Sequence, residues 1–204
     1  MSIVYTLKNN PNLYLNITNK CSNQCYFCFT RFWKGIGNTN LQLHRDPSPQ
    51  KIITELQQAL DKSSSTNEVV YCGFGEPTTR LDTIIEVNTF IKKKFQNPTR
   101  LDTNGLGYKL NPEREVVDEL QNAGIDRVYV SVNAYNKELY NSICKPIFDD
   151  AFDSVINFVL KAKEVFDTEI TAVTLDEVDM TKMTQFAESL GVRFRKRQYI
   201  PTFY

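Results

Sequence analysis

The pattern that most constrains this chain is an alternation of short runs rich in β-branched and aromatic residues with longer amphipathic stretches, repeated along almost its whole length. Strands that alternate with helices pair in parallel, because each helix carries the chain back across the sheet before the next strand begins. Six such units can be read. Strands are expected at Leu13–Thr18, Glu68–Cys72, Thr99–Thr103, Arg127–Val132, Glu169–Leu175 and Val192–Arg197. Helices are expected over Pro49–Asp61, Leu81–Phe95, Pro112–Ala123, Asp149–Phe166 and Thr181–Leu190. Ser48 before Pro49, and Asn111 before Pro112, read as N-caps followed by proline at the first helical position, while Gly124 and Gly191 read as left-handed C-caps.

Six units are too few to close an eight-stranded barrel. The expected fold class is therefore α/β, an open partial (β/α)6 barrel with a curved parallel sheet, helices on its convex side and right-handed crossovers. A chain of 204 residues fits a single domain spanning 1–204. Ser63 to Ser65 reads as a polar connection into the second strand. The longest stretch without periodicity, residues 29–47, is rich in Gly and Asn and carries Phe32 and Trp33; a loop of that length is either functional or partly disordered.

Charge narrows the function classes. Lys plus Arg and Asp plus Glu number 24 each, so no global field favours nucleic acid or an anionic membrane. No window approaches the roughly 20 apolar residues of a membrane span, and no secretory signal opens the chain, so a cytoplasmic protein is expected. Five cysteines, three of them crowded between Cys21 and Cys28, do not make a disulfide scaffold and point instead to metal or redox chemistry.

In parallel α/β folds, ligands collect at the carboxyl ends of the strands, where the loops converge. Here those positions carry Asn19-Lys20-Cys21, Gly73-Phe74-Gly75-Glu76-Pro77, Asn104-Gly105 and Ser131-Val132-Asn133. Polar loops alone would be unremarkable, but C-x3-C-x2-C at Cys21, Cys25 and Cys28 sets three soft thiolates in one short loop, as an iron–sulfur cube requires. A structural zinc site would need a fourth ligand, and His44, the one histidine, reads better as a solvated loop residue. Three thiolates on a cube leave one iron open, the mark of a catalytic centre.

The run Tyr14 to Cys28, with aromatic Phe27 before the last cysteine, resembles the signature of the radical S-adenosylmethionine (SAM) superfamily, and the resemblance extends from Tyr14 to about Arg197. It implies a radical SAM core in which Cys21, Cys25 and Cys28 hold a 4Fe-4S cluster. SAM would chelate the open iron and be cleaved to a 5'-deoxyadenosyl radical that abstracts hydrogen from a substrate. It also implies an electron donor such as a flavodoxin or ferredoxin. Gly73-Phe74-Gly75-Glu76-Pro77 is similar to the superfamily's glycine-glycine-glutamate-proline element. By that resemblance Glu76 and Gly73, Gly75 and Pro77 of its turn hold the SAM amino group, the backbone near Phe27 meets adenine, and Asn104, Ser131 and Asn133 meet the ribose and carboxylate. The opening Ile3-Val4-Tyr5 and the run Gly75 to Arg80 are similar to TatD-associated radical SAM proteins, which implies a functional link to a TatD-type nuclease.

The chain departs from the superfamily around the fifth strand, where Asp176, Glu177 and Asp179 follow Leu175 in place of a glycine-rich motif. No second cysteine group follows Cys144, so no auxiliary cluster is expected within this chain, and Cys72 and Cys144 read as small buried hydrophobes. On the substrate side, Arg193, Arg195 and Arg197 alternate on one face of the last strand. If that face lines the concave side, Arg195 and Arg197 would anchor an anionic substrate; otherwise they guard an exposed edge. Two further readings remain open. One is an activase that places a radical on a partner protein, needing an exposed groove rather than a capped cavity; the other is a zinc-stabilised binding module.

Overall fold

A computed structural model describes residues 1–62 and 66–200; the Ser63–Ser65 connection lies outside the described residues. Among the described residues nine strands and seven α-helices follow one another. β1 is Val4–Tyr5, β2 Leu13–Leu15, β3 Gly35–Ile36, β4 Thr39–Asn40, β5 Val69–Tyr71, β6 Thr99–Thr103, β7 Arg127–Ser131, β8 Asp167–Val173 and β9 Arg193–Arg197. The helices are α1 Pro49–Lys62, α2 Leu81–Lys94, α3 Gly107–Leu110, α4 Val116–Asn122, α5 Lys137–Cys144, α6 Ala151–Ala162 and α7 Met180–Leu190. The main sheet runs β1-β2-β5-β6-β7-β8-β9. Only β1 is antiparallel to its neighbour; the six expected strands pair in parallel and in sequence order. The partial (β/α)6 barrel is therefore present, with an added edge strand that the period-two pattern of two residues was too short to announce.

The sheet has two chemically distinct faces. Leu13, Leu15, Val69, Tyr71, Leu101, Val128, Val130, Ile170 and Ala172 point to the helices and form one continuous core with Ile52, Leu56, Ile84, Ile91, Leu120, Phe158 and Met183. Burying side chains of this size stabilises the fold by about 1.5–3 kcal/mol each. The opposite, concave face changes character across the sheet. Its β1–β2–β5 flank is apolar, where Tyr5, Tyr14, Leu41 and Val70 are joined by Phe29 and Phe74. Its β6–β9 flank is ionic. Arg100 bonds Glu68 at 2.6 Å and Asp102 at 2.7 Å, Arg127 bonds Glu68 at 3.0 Å and pairs ionically with Asp167 at 3.4 Å, and Arg193 bonds Asp167 at 2.6 Å.

Local signals account for several helix ends. The Ser48 hydroxyl accepts from Lys51 N at 3.3 Å at the start of α1, and Gly124 and Gly191 have φ of 86° and 69°. Asn111 behaves differently from expectation. Its amide clasps the carbonyls of Thr78 and Gly107 at 2.9 Å each, Glu113 takes φ 65°, and the helix begins only at Val116. A long-range clasp thus overrides a local cap. The helix α5 was not anticipated, although Asn136 caps it through Leu139 N at 2.9 Å and Tyr140, Ile143 and Cys144 share its buried side. Residues 29–47 form a single 3-10 turn at Phe29–Arg31 and the β3–β4 hairpin, strapped across the rim above β2. No helix among the described residues is long and apolar enough to cross a membrane.

Candidate functional site

The carboxyl ends of β2, β5 and β6 are stitched into one rim by side chains that cap backbone groups left unpaired where the strands stop. At the end of β2, buried Asn16 donates to Ser2 O at 3.1 Å and Leu41 O at 2.6 Å while accepting from Phe74 N at 2.9 Å. Three residues on, the Asn19 amide pairs with both backbone groups of Leu43, at 2.6 and 3.0 Å. Arg80 donates to Ile17 O at 2.9 Å and Pro47 O at 2.7 Å. These three side chains hold the strap of residues 29–47 and the turn after β5 against the stretch that leads into the cysteines. None of the three was given a role from the sequence, although Asn16 and Asn19 stand within the run that carries the resemblance, Asn19 among the polar residues of the strand ends, and Arg80 closes the run that begins at Gly75.

The turn after β5 comes so close to the cysteine loop that only glycine fits. A Cβ on Gly75 would lie 2.4 Å from Lys20 O and 2.6 Å from Asn19 C, and one on Gly73 would lie 2.3 Å from Asn16 Oδ1. The contacts at Gly75 are to backbone, which cannot swing aside. Gly75→Ala is therefore expected to displace the loop that begins at Asn19, costing about 1–3 kcal/mol and cutting cluster incorporation; equal melting temperature and iron content in the two proteins would count against this packing. The same backbone approach is secured by Glu76 N donating to Lys20 O at 2.7 Å and Gly75 N to Thr18 O at 3.0 Å. Among the described residues no protein donor meets the carbonyl oxygens of Gly73, Phe74 or Gly75.

Glu76 lies beneath this turn, only 3% exposed. Its Oε1 accepts from Thr78 N at 3.0 Å, Thr78 Oγ1 at 2.7 Å and Thr103 Oγ1 at 2.7 Å, and its Oε2 accepts from Asn104 N at 2.6 Å. Burial pushes its carboxyl above the ordinary range, opposed by these donors. Pro77 opens the short 3-10 turn Pro77–Arg80 that the Glu76 side chain caps. Asn104, in turn, donates to Ser22 Oγ at 3.0 Å, approaches Cys21 Sγ at 3.9 Å and accepts from Leu106 N at 2.9 Å. Glu76, Thr103, Asn104, Ser22 and Cys21 thus form one chain of contacts from the second strand's turn to the first cysteine.

Cys21 is exposed, Cys25 and Cys28 are half-buried, and none is in a disulfide. Although part of the Cys21 residue surface is exposed, crowding by the surrounding rim desolvates its thiol and pushes it up to about 12, followed by the effect of the Glu76 carboxylate, with the nearby Cys25 and Cys28 adding to the rise. The Cys25 thiol is driven up by its contact with the buried Cys144 thiol and by burial. Negative charge is therefore disfavoured at the Cys21 and Cys25 thiols, and a cationic iron centre would relieve it. No three His, Cys, Asp or Glu side chains among the described residues converge on a point as a single metal ion would need. A cube offers a separate iron to each thiolate, so three thiols spaced along one loop suit it. His44 is exposed on the strap.

The remaining expected residues occupy the same rim with different degrees of freedom. The Phe27 ring packs edge-on to Tyr26, 5.6 Å between centroids. Ser131 ends β7, half-buried, with its hydroxyl 3.4 Å from Arg197 Nη1. Asn133 lies beyond the strand in left-handed backbone, φ 62°, and its amide bonds Ser131 O at 3.1 Å and Val173 N at 3.2 Å, so it does not share a strand face with Ser131. Register places Arg195 and Arg197 opposite Thr171 and Val173, on the concave face. Arg195 Nε forms an ion pair with Glu169 Oε1 at 2.8 Å, without the alignment of a hydrogen bond, and the guanidinium stacks 4.5 Å from the centroid of the Tyr129 ring. Cys72 is not a buried hydrophobe of the helical core but joins the concave cluster, with Asp102 and Arg197 within electrostatic reach of its thiol; Cys144 is buried as expected.

A curved, mostly parallel α/β sheet with thiols, a buried carboxylate and open carbonyls on its carboxyl rim defines a partial-barrel protein whose chemistry lies at that rim. The family model for the Radical SAM superfamily matches residues 15–190, and the chain belongs to that superfamily of enzymes, which use a 4Fe-4S cluster and SAM. It is 28% identical over 200 residues to a probable GTP 3',8-cyclase of Methanocaldococcus jannaschii, covering 93% of this chain and 59% of that protein. A protein of the same name from Saccharolobus islandicus is 29% identical over 188 residues, covering 89% and 54%. The chain thus spans little more than half the length of these curated relatives. Among solved structures, native anSMEcpe with bound AdoMet superposes with a TM-score of 0.71 at 17% identity, over 92% of this chain and 51% of that one. Methylornithine synthase superposes with a TM-score of 0.66 at 16% identity, over 92% and 53%. These structural likenesses bear on the fold.

Proposed function

We propose that this chain is a radical SAM enzyme in which Cys21, Cys25 and Cys28 hold a 4Fe-4S cluster and the turn Gly73–Pro77 receives SAM. The observation that carries the reading is the joined rim: three thiols in one short loop, the first of them, Cys21, tied through Asn104 to Ser22 and Glu76. When bound and reduced, the cluster supplies an electron that splits SAM into methionine and a 5'-deoxyadenosyl radical able to abstract hydrogen.

The chain's own residues bind, orient and exclude water. The open carbonyls of Gly73, Phe74 and Gly75 accept from the SAM ammonium group, since a cationic donor needs acceptors and these lack any other among the described residues. Glu76 acts on that site indirectly. Its two oxygens are taken by Thr78, Thr103 and Asn104, so it holds the turn rather than the ligand. The backbone near Phe27 meets adenine. The Ser131 hydroxyl and Asn104 meet ribose and carboxylate, while the Asn133 amide is spent on the ends of β7 and β8.

An external reductant such as a flavodoxin or ferredoxin would load the cluster, which fits a cytoplasmic setting. The names of the curated relatives support shared radical chemistry; at this identity and coverage a guanine nucleotide is one candidate substrate. Ile3-Val4-Tyr5 and the Gly75 to Arg80 run support the narrower placement beside TatD-associated proteins and a link to a TatD-type nuclease. β9 is exposed along the sheet edge, so the concave face is open there, and that observation favours a partner-protein substrate as the second reading. Anaerobic reconstitution followed by reduction with SAM should yield methionine and 5'-deoxyadenosine. A protein that binds iron and sulfide stoichiometrically but leaves SAM intact under reduction would refute the proposal.

A further inference from the structure

The concave face of the sheet forms a bowl beneath the glycine turn, and Cys72, which immediately precedes Gly73, lines it. The backbone of Cys72 is fixed on both sides. Its N–H donates to Leu15 O at 3.2 Å, and its carbonyl accepts from the Tyr5 hydroxyl at 3.0 Å. The register of β5 with β6 pairs Val70 with Arg100 and Tyr71 with Leu101, which sets Cys72 beside Asp102 on one face, and the register of β6 with β7 sets Asp102 beside Tyr129. A thiol, a carboxylate and a phenol thus stand side by side on three adjacent strands, at the roughly 4.8 Å that separates strands. Neither cluster assembly nor SAM binding needs this row.

Two further observations make the bowl a place for a ligand. Arg197, four strands along the sheet on β9, lowers the Cys72 thiol electrostatically, so the curvature brings the two walls toward each other. Thr171, on the same face of β8 and 2% exposed, has a hydroxyl with no hydrogen-bond partner among the described residues. A buried hydroxyl left unpaired costs free energy that a polar ligand offsets. The walls desolvate the half-buried Cys72 thiol and the Asp102 carboxylate adds to the effect, pushing the thiol up to about 12, so it keeps its hydrogen. The Tyr129 phenol is the poorer donor of the two. Arg100 and Arg195 each stack 4.5 Å from its ring centroid and oppose the loss of electron density from it.

We infer that the Cys72 thiol, positioned by Asp102, donates a hydrogen atom to carbon radicals formed in the bowl. This deepens the proposed enzyme reading and rests on it for the radical. In the step the S–H bond of Cys72 breaks and a C–H bond forms on the substrate-derived carbon, leaving a thiyl radical. One electron from the external reductant, a flavodoxin or ferredoxin, and one proton from solvent restore the thiol. The product therefore carries a hydrogen of solvent origin, because thiol hydrogens exchange with water and carbon-bound ones do not.

The test uses cluster-loaded protein in D2O with SAM, titanium(III) citrate as the reductant and no added substrate or thiol. The 5'-deoxyadenosyl radical is then itself the probe. Mass spectrometry should find deuterium in most of the 5'-deoxyadenosine formed. Read per molecule of 5'-deoxyadenosine, that label should be lost in Cys72→Ala and also in Cys72→Ser, whose exchangeable O–H bond is too strong to yield its hydrogen to a carbon radical. Tyr129→Phe should keep the label. A second readout needs no SAM. With the loop thiols held by the cluster, iodoacetamide at mildly alkaline pH should alkylate Cys72 and spare buried Cys144. Asp102→Asn should speed that alkylation roughly threefold or more, by removing the carboxylate that opposes the thiolate. Equal deuterium in the unsubstituted and Cys72-substituted proteins would overturn the donor role. So would loss of all SAM cleavage in the Cys72 variants, since the donor acts after that bond is broken, or a Cys72 alkylated no faster after Asp102→Asn. Unsubstituted protein that makes no 5'-deoxyadenosine fails the enzyme reading and the donor role with it, whereas 5'-deoxyadenosine free of deuterium fails the donor role alone.

Discussion

Alanine at Cys21, Cys25 or Cys28 should each abolish the visible absorbance of the reconstituted cluster while leaving a folded protein. The three thiols sit on an exposed to half-buried loop, and none belongs to the continuous core as a fully buried side chain. Their removal should therefore change unfolding free energy by less than about 1 kcal/mol in the metal-free protein, as for most substitutions outside a packed core. Cluster assembly is another matter. A cube with two thiolates loses a coordinating ligand and the proton-release coupling that goes with it, so iron retention should collapse. Cys72→Ala is the control, because that thiol lies on the apolar flank of the bowl against Tyr5 and Val70. A cysteine-loop variant that keeps full iron content, or a Cys72 variant that loses it, would sink the assignment.

Glu76→Gln should destabilise the fold by about 2–4 kcal/mol, the range expected when a buried, multiply bonded charge is replaced by a group that cannot accept at both ends. The substituted amide would turn a donor toward the backbone N–H of Asn104 or toward the hydroxyls of Thr78 and Thr103, all of which now donate to the carboxylate. Urea denaturation of the metal-free protein measures this directly. Weaker SAM binding with unchanged stability would instead assign the carboxylate to the ligand, as the sequence resemblance alone suggests. Loss of stability together with disordering of the cysteine loop would show that Glu76 works by holding the rim.

Much of this architecture is legible from local pattern. The six parallel strands appear in the order expected, because a half-buried strand and an amphipathic helix each declare themselves within a few residues. Where the pattern was too short, as in β1, or where a distant contact overrode a local cap, as at Asn111, the linear reading missed. Its amide is claimed by Thr78, far away in sequence, and no inspection of the residues flanking Pro112 could reveal that. The roles of Asn16, Asn19 and Arg80 were missed for the same reason: their partners Leu41, Leu43, Ile17 and Pro47 come together only once the strap crosses the rim.

The sequence by itself determined the fold class and the identity of the three candidate cluster ligands, because both are encoded in short-range periodicity and spacing. It also placed Arg195 and Arg197 on one side of a strand, since side chains two apart share a face. Only the tertiary structure decided which of these arginines has a carboxylate partner among the described residues, for that depends on the register that sets Arg195 beside Glu169 and carries Arg197 across to Ser131. It likewise decided what the Glu76 carboxylate does, because Thr103 and Asn104 reach it from another strand. A motif names the groups available at a site; the long-range pairing of donors and acceptors determines which of them are left for a ligand.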